Sequence, residues 1–280
     1  MKHTHSLRWM LLAFSPLLWT ACDSNSSSGE GATFDTVHAE MPIPISLTEF
    51  PASTDFPKAQ LNMGNVTATK VGDDSVKLSF QFKVANYELK AQTPDASGMQ
   101  CNNSKDGQHI HFVLDNAPYK ALYEPKTEVT LAKNTEHLLV AFLSRSYHQS
   151  LKNKEAALIY RFKIDDAGKL SVLETPKTPV LTYSRPKGDY IGKDIDNLLL
   201  DFYVWNASLG NDYGVKVHLT ADLVDTNFVL KEWKSYFLKN IPEGEATIKL
   251  TLVDKNGEKV AGEATEVSRT IHLAKEEPMK

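Results

Sequence analysis

The chain has 280 residues, is 41% hydrophobic and 24% charged, and carries a formal net charge of −4. That composition suits a globular protein with one large core or two ordinary ones. With Lys and Arg scattered and no basic run to neutralise phosphates, it argues against a nucleic-acid partner.

The first element is a targeting segment. Lys2 and Arg8 supply a positive n-region, and Trp9 to Trp19 is an apolar stretch of signal-peptide length, too short for a transmembrane helix. Thr20-Ala21-Cys22 follows. Small residues directly before a cysteine resemble a bacterial lipobox. That resemblance implies that residues 1–21 are a lipoprotein signal peptide and that Cys22 becomes a lipidated N-terminus, anchoring the chain to a membrane of the cell envelope. Residues 22–55 then read as the lipidated cysteine, a polar flexible tether and an extended lead-in. With Cys22 lipidated, Cys101 has no partner, so the fold rests on its cores rather than on disulfides.

The remainder reads as strands. Ser75–Val84 and His109–Asp115 alternate apolar and polar residues; Glu136–Leu143 and Ala157–Ile164 are nearly continuous apolar runs. Pro, Gly, Asn and Asp fill the breaks, and no long stretch has a helical period. The second half repeats this plan at a nearly constant offset. Gly214–Thr220 matches Gly107–Val113, Gly244–Asp254 matches Asn134–Ser144, and Val267–Leu273 matches Ile159–Asp165, aligning Arg161 with Arg269. Asn197–Asn206 matches the strand around Phe80. An all-strand repeat of about 100 residues is the size of an immunoglobulin-like module. The expected fold is all-β: two tandem immunoglobulin-like β-sandwich domains, residues 56–166 and 167–275, after a lipoprotein signal peptide.

Four histidines fall in the first repeat: His109, His111, His137 and His148. His109 and His111 share a strand face because side chains recur every two residues. In the repeat alignment His109 meets Lys216, His111 meets His218, His137 meets Thr247, and His148 falls near Glu258. Concentration in one copy points to a site there or to chance on an exposed face. Imidazoles suit copper or zinc. Met99 and Cys101, just upstream, would add soft ligands favouring copper, and Asp115 could add a carboxylate. Such a site would place His111 and His137 in one coordination sphere. His137 and His148 either meet through a chain that folds back at 144–147 or belong to two clusters. The alternative is four polar residues on a solvated outer sheet face.

The order HIHFVLD, TEHLLVAFL, RSYHQS resembles a His-rich bacterial envelope domain of unknown function, the DUF4399 type. The resemblance covers about residues 60–165 and places the four histidines in its three motifs. It departs at Asn134 and Glu136, before the second motif, and at Ser144-Arg145. The whole chain is also similar to Bacteroidota-type lipoproteins labelled phosphopeptide-binding proteins. Phosphate recognition favours clustered arginines, whereas Arg145, Arg161, Arg185 and Arg269 are dispersed.

No Gly-rich phosphate loop, GxSxG elbow or HExxH motif occurs. The expected function is therefore non-enzymatic: a transition metal held by the histidine cluster, with copper or zinc as cofactor. The alternative is a surface lipoprotein that binds a protein, peptide or carbohydrate without metal. Trp205, Trp233, Tyr236 and Phe237 could stack on a sugar or could be sandwich core.

Overall fold

The computed structural model describes residues 43–276; the signal segment, Cys22 and the tether through residue 42 lie outside them. The strands are β1 (Ser46–Glu49), β2 (Gln60–Val71), β3 (Ser75–Ala85), β4 (His109–Leu114), β5 (Lys120–Leu122), β6 (Lys126–Ala132), β7 (Thr135–Ser144), β8 (Ala157–Ile164) and β9 (Leu170–Val172). They continue as β10 (Val180–Arg185), β11 (Gly188–Ile191), β12 (Leu198–Trp205), β13 (Tyr213–Ala221), β14 (Val224–Leu230), β15 (Tyr236–Lys239), β16 (Gly244–Asp254) and β17 (Glu266–Ala274).

Four sheets form, in the orders β2-β3-β6, β5-β4-β7-β8-β9, β1-β15-β12-β10 and β11-β17-β16-β13-β14. The first two face each other across a core that includes Leu61, Val76, Leu78, Phe80, Ile110, Phe112, Leu139, Ala141 and Phe162. The last two enclose Leu181, Tyr183, Leu200, Phe202, Val215, Val217, Ile248, Leu250 and Ile271. Each pair is an immunoglobulin-like sandwich, its inner faces set by period-two alternation. The lead-in joins the second sandwich, because β1 pairs antiparallel with β15.

The apolar run of β7 has a specific cause. Leu139, Ala141 and Leu143 enter the first core, while Val140 and Phe142 point the other way. There they join Val113, Tyr119 and Ile159 in a third cluster with Val180 of β10 and Tyr203 of β12. The outer face of one sandwich thus packs on the outer face of the other, and strands buried on both faces read as continuous apolar sequence.

The repeat recurs in topology. β10-β12-β15 reproduces β2-β3-β6, and β14-β13-β16-β17 reproduces β5-β4-β7-β8. The turn after β7 closes with a Ser144–Ser150 bridge and the turn after β16 with Val253–Lys259. Arg145 N–H donates to Gln149 O in one, Asp254 N–H to Glu258 O in the other. His148 therefore corresponds to Gly257 rather than Glu258. Strand register then corrects the sequence alignment. His109 pairs with Ser144 and His111 with Phe142, while Gly214 pairs with Val253 and Lys216 with Thr251. His109 corresponds to Gly214 and His111 to Lys216, two residues away from the sequence match. By the same register Arg161, opposite Leu138, corresponds to Thr270, opposite Thr247, and not to Arg269.

Candidate functional site

β4 carries His109 and His111 on the face opposite Ile110 and Phe112, so both imidazoles point into the seam between the sandwiches. Their strand neighbour β7 ends beside His109 at Ser144. The turn that follows folds back tightly, with His148 N–H donating to Arg145 O and Leu151 N–H to Leu143 O. This drops His148 onto His109. His148 has φ of 68°, a left-handed conformation for which the second copy uses Gly257 at 85°. His109 and His111 are 0% exposed and His148 is 7% exposed. The strand face expected to be solvated is the centre of an interface.

Three ring nitrogens converge. His109 Nε2 lies 2.9 Å from His111 Nε2 and 3.1 Å from His148 Nδ1. One ligating nitrogen from each ring can be chosen so that all three lie within 4.8 Å of one another. Nitrogens bound to a tetrahedral ion at about 2.0–2.1 Å stand about 3.3 Å apart; both pairs that involve His109 are close to that spacing, and binding would have to draw the His111 and His148 nitrogens together to match it. In His109 and His111 the opposite ring atoms are tied down. His109 Nδ1 is 2.8 Å from Gly107 O; a carbonyl only accepts, so Nδ1 carries the proton and Nε2 keeps its lone pair in the neutral ring. His111 Nδ1 is 2.9 Å from the Ser184 hydroxyl of β10, which can donate or accept. Hydrogen bonds of this kind orient the imidazoles of metal centres. Tyr119 stacks on His111 at 3.6 Å and 8°, and its hydroxyl is 3.3 Å from His148 Nδ1.

The environment keeps the rings neutral. Burial pushes His109 down to about 4, with Arg185 and Lys187 adding to the shift and the Gly107 carbonyl opposing it. Burial, then the neighbouring His109 and His148 and the cations Arg185 and Lys187, hold His111 well below the usual histidine range. Burial followed by Arg185 does the same to His148. Lys187 Nζ and Arg185 lie over the Tyr119 ring at 4.3 and 5.4 Å. Arg185 is 9% exposed, donates to Tyr190 Oη at 3.1 Å, and leaves its Nε without a partner.

A pH dependence follows. Unfolded histidines protonate near pH 6.5 whereas buried His109 does not until about pH 4, so acid favours the unfolded state. Stability of the metal-free protein is expected to be flat above pH 6.5 and to fall below it, with His109 alone removing about 2 kcal/mol at pH 5 relative to pH 8. Urea unfolding at the two pH values checks this. An unchanged midpoint would show that the rings already protonate in the fold.

The other expected ligands lie elsewhere. His137 does not share a sphere with His111. It sits at the far end of β7, on the face opposite Phe142, 5.3 Å from the Phe162 ring. Its Nδ1 is 2.7 Å from Asp115 Oδ2 and its Nε2 is 2.7 Å from Thr135 Oγ1. Asp115 also accepts from Leu138 N–H at 2.9 Å, so it serves His137 and not the triad. The separation is dictated by an odd sequence step, which reverses the face, and by several residues of strand rise. Cys101 is half-buried, and burial pushes its thiol up to about 12 with Arg185 and Asp194 as neighbours. It is a protonated thiol beside the site, outside the convergent nitrogens. Met99 is half-buried after a short 3-10 turn, Ala96–Gly98.

Ser184, Tyr119, Arg185 and Lys187 carry no motif that sequence could flag. Their roles arise from the packing of β10 and its flank on the first sandwich.

No family model matches the chain, and no curated protein matches it. Among solved structures, it is similar to the fibronectin(III)-like modules of Clostridium thermocellum CbhA, at 11% identity over 79% of this chain and 98% of that one, with a TM-score of 0.26. It is also similar to the FN1–FN3 domains of chicken CNTN1, at 11% identity over 78% of this chain and 68% of that one, with a TM-score of 0.25.

Proposed function

We propose that this chain is a metal-binding envelope protein, held to a bacterial membrane by a lipid on Cys22, that takes one copper or zinc ion between His109, His111 and His148. The observation that carries the reading is the convergence of three buried imidazole nitrogens, with the rings of His109 and His111 already fixed through their outer nitrogens. Neutral imidazole is the form that ligates, so no proton has to leave near pH 7. The second copy has Gly214, Lys216 and Gly257 at these places, so the fold itself does not require the histidines. Three neutral donors beside Arg185 and Lys187, with no carboxylate in the group, favour the singly charged ion, Cu(I), over a dication. Binding rather than catalysis is the proposed role.

Titration of the stripped mature chain with Cu(I), Cu(II) and Zn(II) tests this. One equivalent per chain is expected, tightest for Cu(I), lost in a His109→Ala, His111→Ala double variant and unchanged in His137→Ala. Ser184→Ala removes the partner of His111 Nδ1 and is expected to weaken binding 10–100-fold. Equally weak binding in all variants would leave the triad as a hydrogen-bonded part of the interface.

A further inference from the structure

A second concave site is independent of the histidines. An open cleft of about 530 Å³ lies against the end of β12 and the segment that follows it, within the size range of small-ligand sites. Tyr203, 2% exposed, forms its floor. Trp205, Tyr213 and Trp233, all half-buried, line it. The aromatic residues are held in place. Trp233 meets Tyr203 edge-on at 4.7 Å and 83°, and its Nε1–H donates to Phe202 O at 3.2 Å. Trp205 lies 6.2 Å from Tyr203 at 31°. Asn206 pins the adjoining segment through its amide, which donates to Pro176 O at 2.6 Å and Thr178 O at 3.2 Å.

The rim is polar and balanced. Lys154, Ser208 and Asp212 line it: one cation, one hydroxyl and one anion. Among the described residues, none of the three has a side-chain hydrogen bond or ion pair within the protein, and the Tyr213 hydroxyl has none either. These groups are open to an outside ligand.

We infer that this cleft binds a neutral oligosaccharide. A sugar ring presents a flat face of C–H bonds and a periphery of hydroxyls. Rigid aromatic rings take the first at little entropic cost, and unpaired donors and acceptors take the second. The alternatives fit less well. A phosphate or carboxylate ligand would meet Lys154 alone and be opposed by Asp212. A wholly apolar ligand would leave the polar rim unsatisfied on desolvation. The sequence offers Trp205 and Trp233 with Tyr236 and Phe237 as a platform. The structure keeps the two tryptophans, and it buries Tyr236 and Phe237, at 7% and 6% exposure.

Tryptophan emission and calorimetry of the mature chain test the inference, with soluble oligosaccharides of glucose, xylose, mannose and N-acetylglucosamine as probes. At least one probe is expected to bind saturably with an emission change. Trp205→Ala is expected to weaken it tenfold or more. Because Trp205 also packs on Tyr203, a second variant, Ser208→Ala with Asp212→Ala, alters only the rim and is expected to weaken binding while leaving thermal unfolding unchanged. A His148→Gly chain is expected to bind the sugar normally, which separates this site from the metal reading. If none of the four sugars binds, or if affinity survives both variants, the inference is overturned.

Discussion

Replacing His148 with glycine is expected to remove most of the metal-induced stabilisation while leaving the metal-free protein within about 1 kcal/mol of the original. Two effects oppose each other in the apoprotein. His148 holds φ of 68°, a conformation that costs a side-chain-bearing residue about 1–2 kcal/mol, and glycine relieves that strain. Loss of a nearly buried ring, with its contacts to His109 and Tyr119, opposes that gain by about 2 kcal/mol, the low end for a large-to-small change. The second copy has Gly257 at this place with the same turn hydrogen bonds, so the backbone does not depend on the histidine. With metal at a thousandfold excess over its dissociation constant, the unaltered chain gains about 4 kcal/mol, or roughly 8–16 °C in Tm for a unit of this size. The glycine variant keeps only two imidazoles and loses most of that shift. His148→Ala separates strain from ligation: alanine lacks the ring and keeps the conformational cost, so its apoprotein should be less stable than that of the glycine variant. Thermal unfolding of the three chains with and without Cu(I) decides. An undiminished shift in the glycine variant would place the metal elsewhere.

The sequence carried the sandwich alternation plainly. Val76, Leu78, Phe80 and Phe82 fall on one face in the pattern and in the core alike. The repeat was legible for the same reason: inward positions in both copies obey period two, and a shift of two residues preserves that parity. This is also why sequence could not fix the register. Moving β13 by two keeps Val215, Val217 and Leu219 inside yet changes the partner of His111 from His218 to Lys216. Three of the four proposed ligands came together. His109 and His111 share a face by parity, and His148 joins them through a turn whose return was only a possibility in sequence. His137 lies apart because its position on β7 has the opposite parity to Phe142, which pairs with His111. The buried state of the triad was illegible, because period-two polarity on an outer face gives no sign that another sandwich will cover it. The near-continuous apolar runs of β7 and β8, which supply both the first core and the cluster between the sandwiches, carried that signal.

Asp201→Ala is expected to destabilise the protein by about 3 kcal/mol or more, because it strands a buried ammonium in the same seam. Asp201 is 0% exposed. It accepts from Ser235 Oγ at 2.7 Å, Ser150 Oγ at 3.0 Å, Ser150 N–H at 3.3 Å and Lys152 Nζ at 3.0 Å. Lys152 also donates to Phe202 O at 2.7 Å and lies over the Phe202 and Trp233 rings. The first sandwich thus supplies the cation and the second the anion. Burial pulls Lys152 below the usual lysine range, and the Asp201 charge and hydrogen bond pull it back; without Asp201 only the downward pull remains. Its side chain retains 23% exposure, which puts the cost at the lower end of the range for broken buried pairs. The sign with pH is specific. A lysine depressed in the folded state disfavours folding while the unfolded chain holds its proton, so the deficit of the variant should shrink as pH rises from 7 toward 10. Adding Lys152→Met removes the stranded charge and should recover most of the loss at pH 7. Urea unfolding of the single and double variants across that range measures both terms; a single-variant loss under about 1 kcal/mol would show that water reaches Lys152 freely. The same variant reaches the metal triad, since Ser150 closes the turn that carries His148 through its bridge to Ser144. Freed from Asp201, that turn loses its anchor to the second sandwich, and the affinity for Cu(I) should fall with the stability.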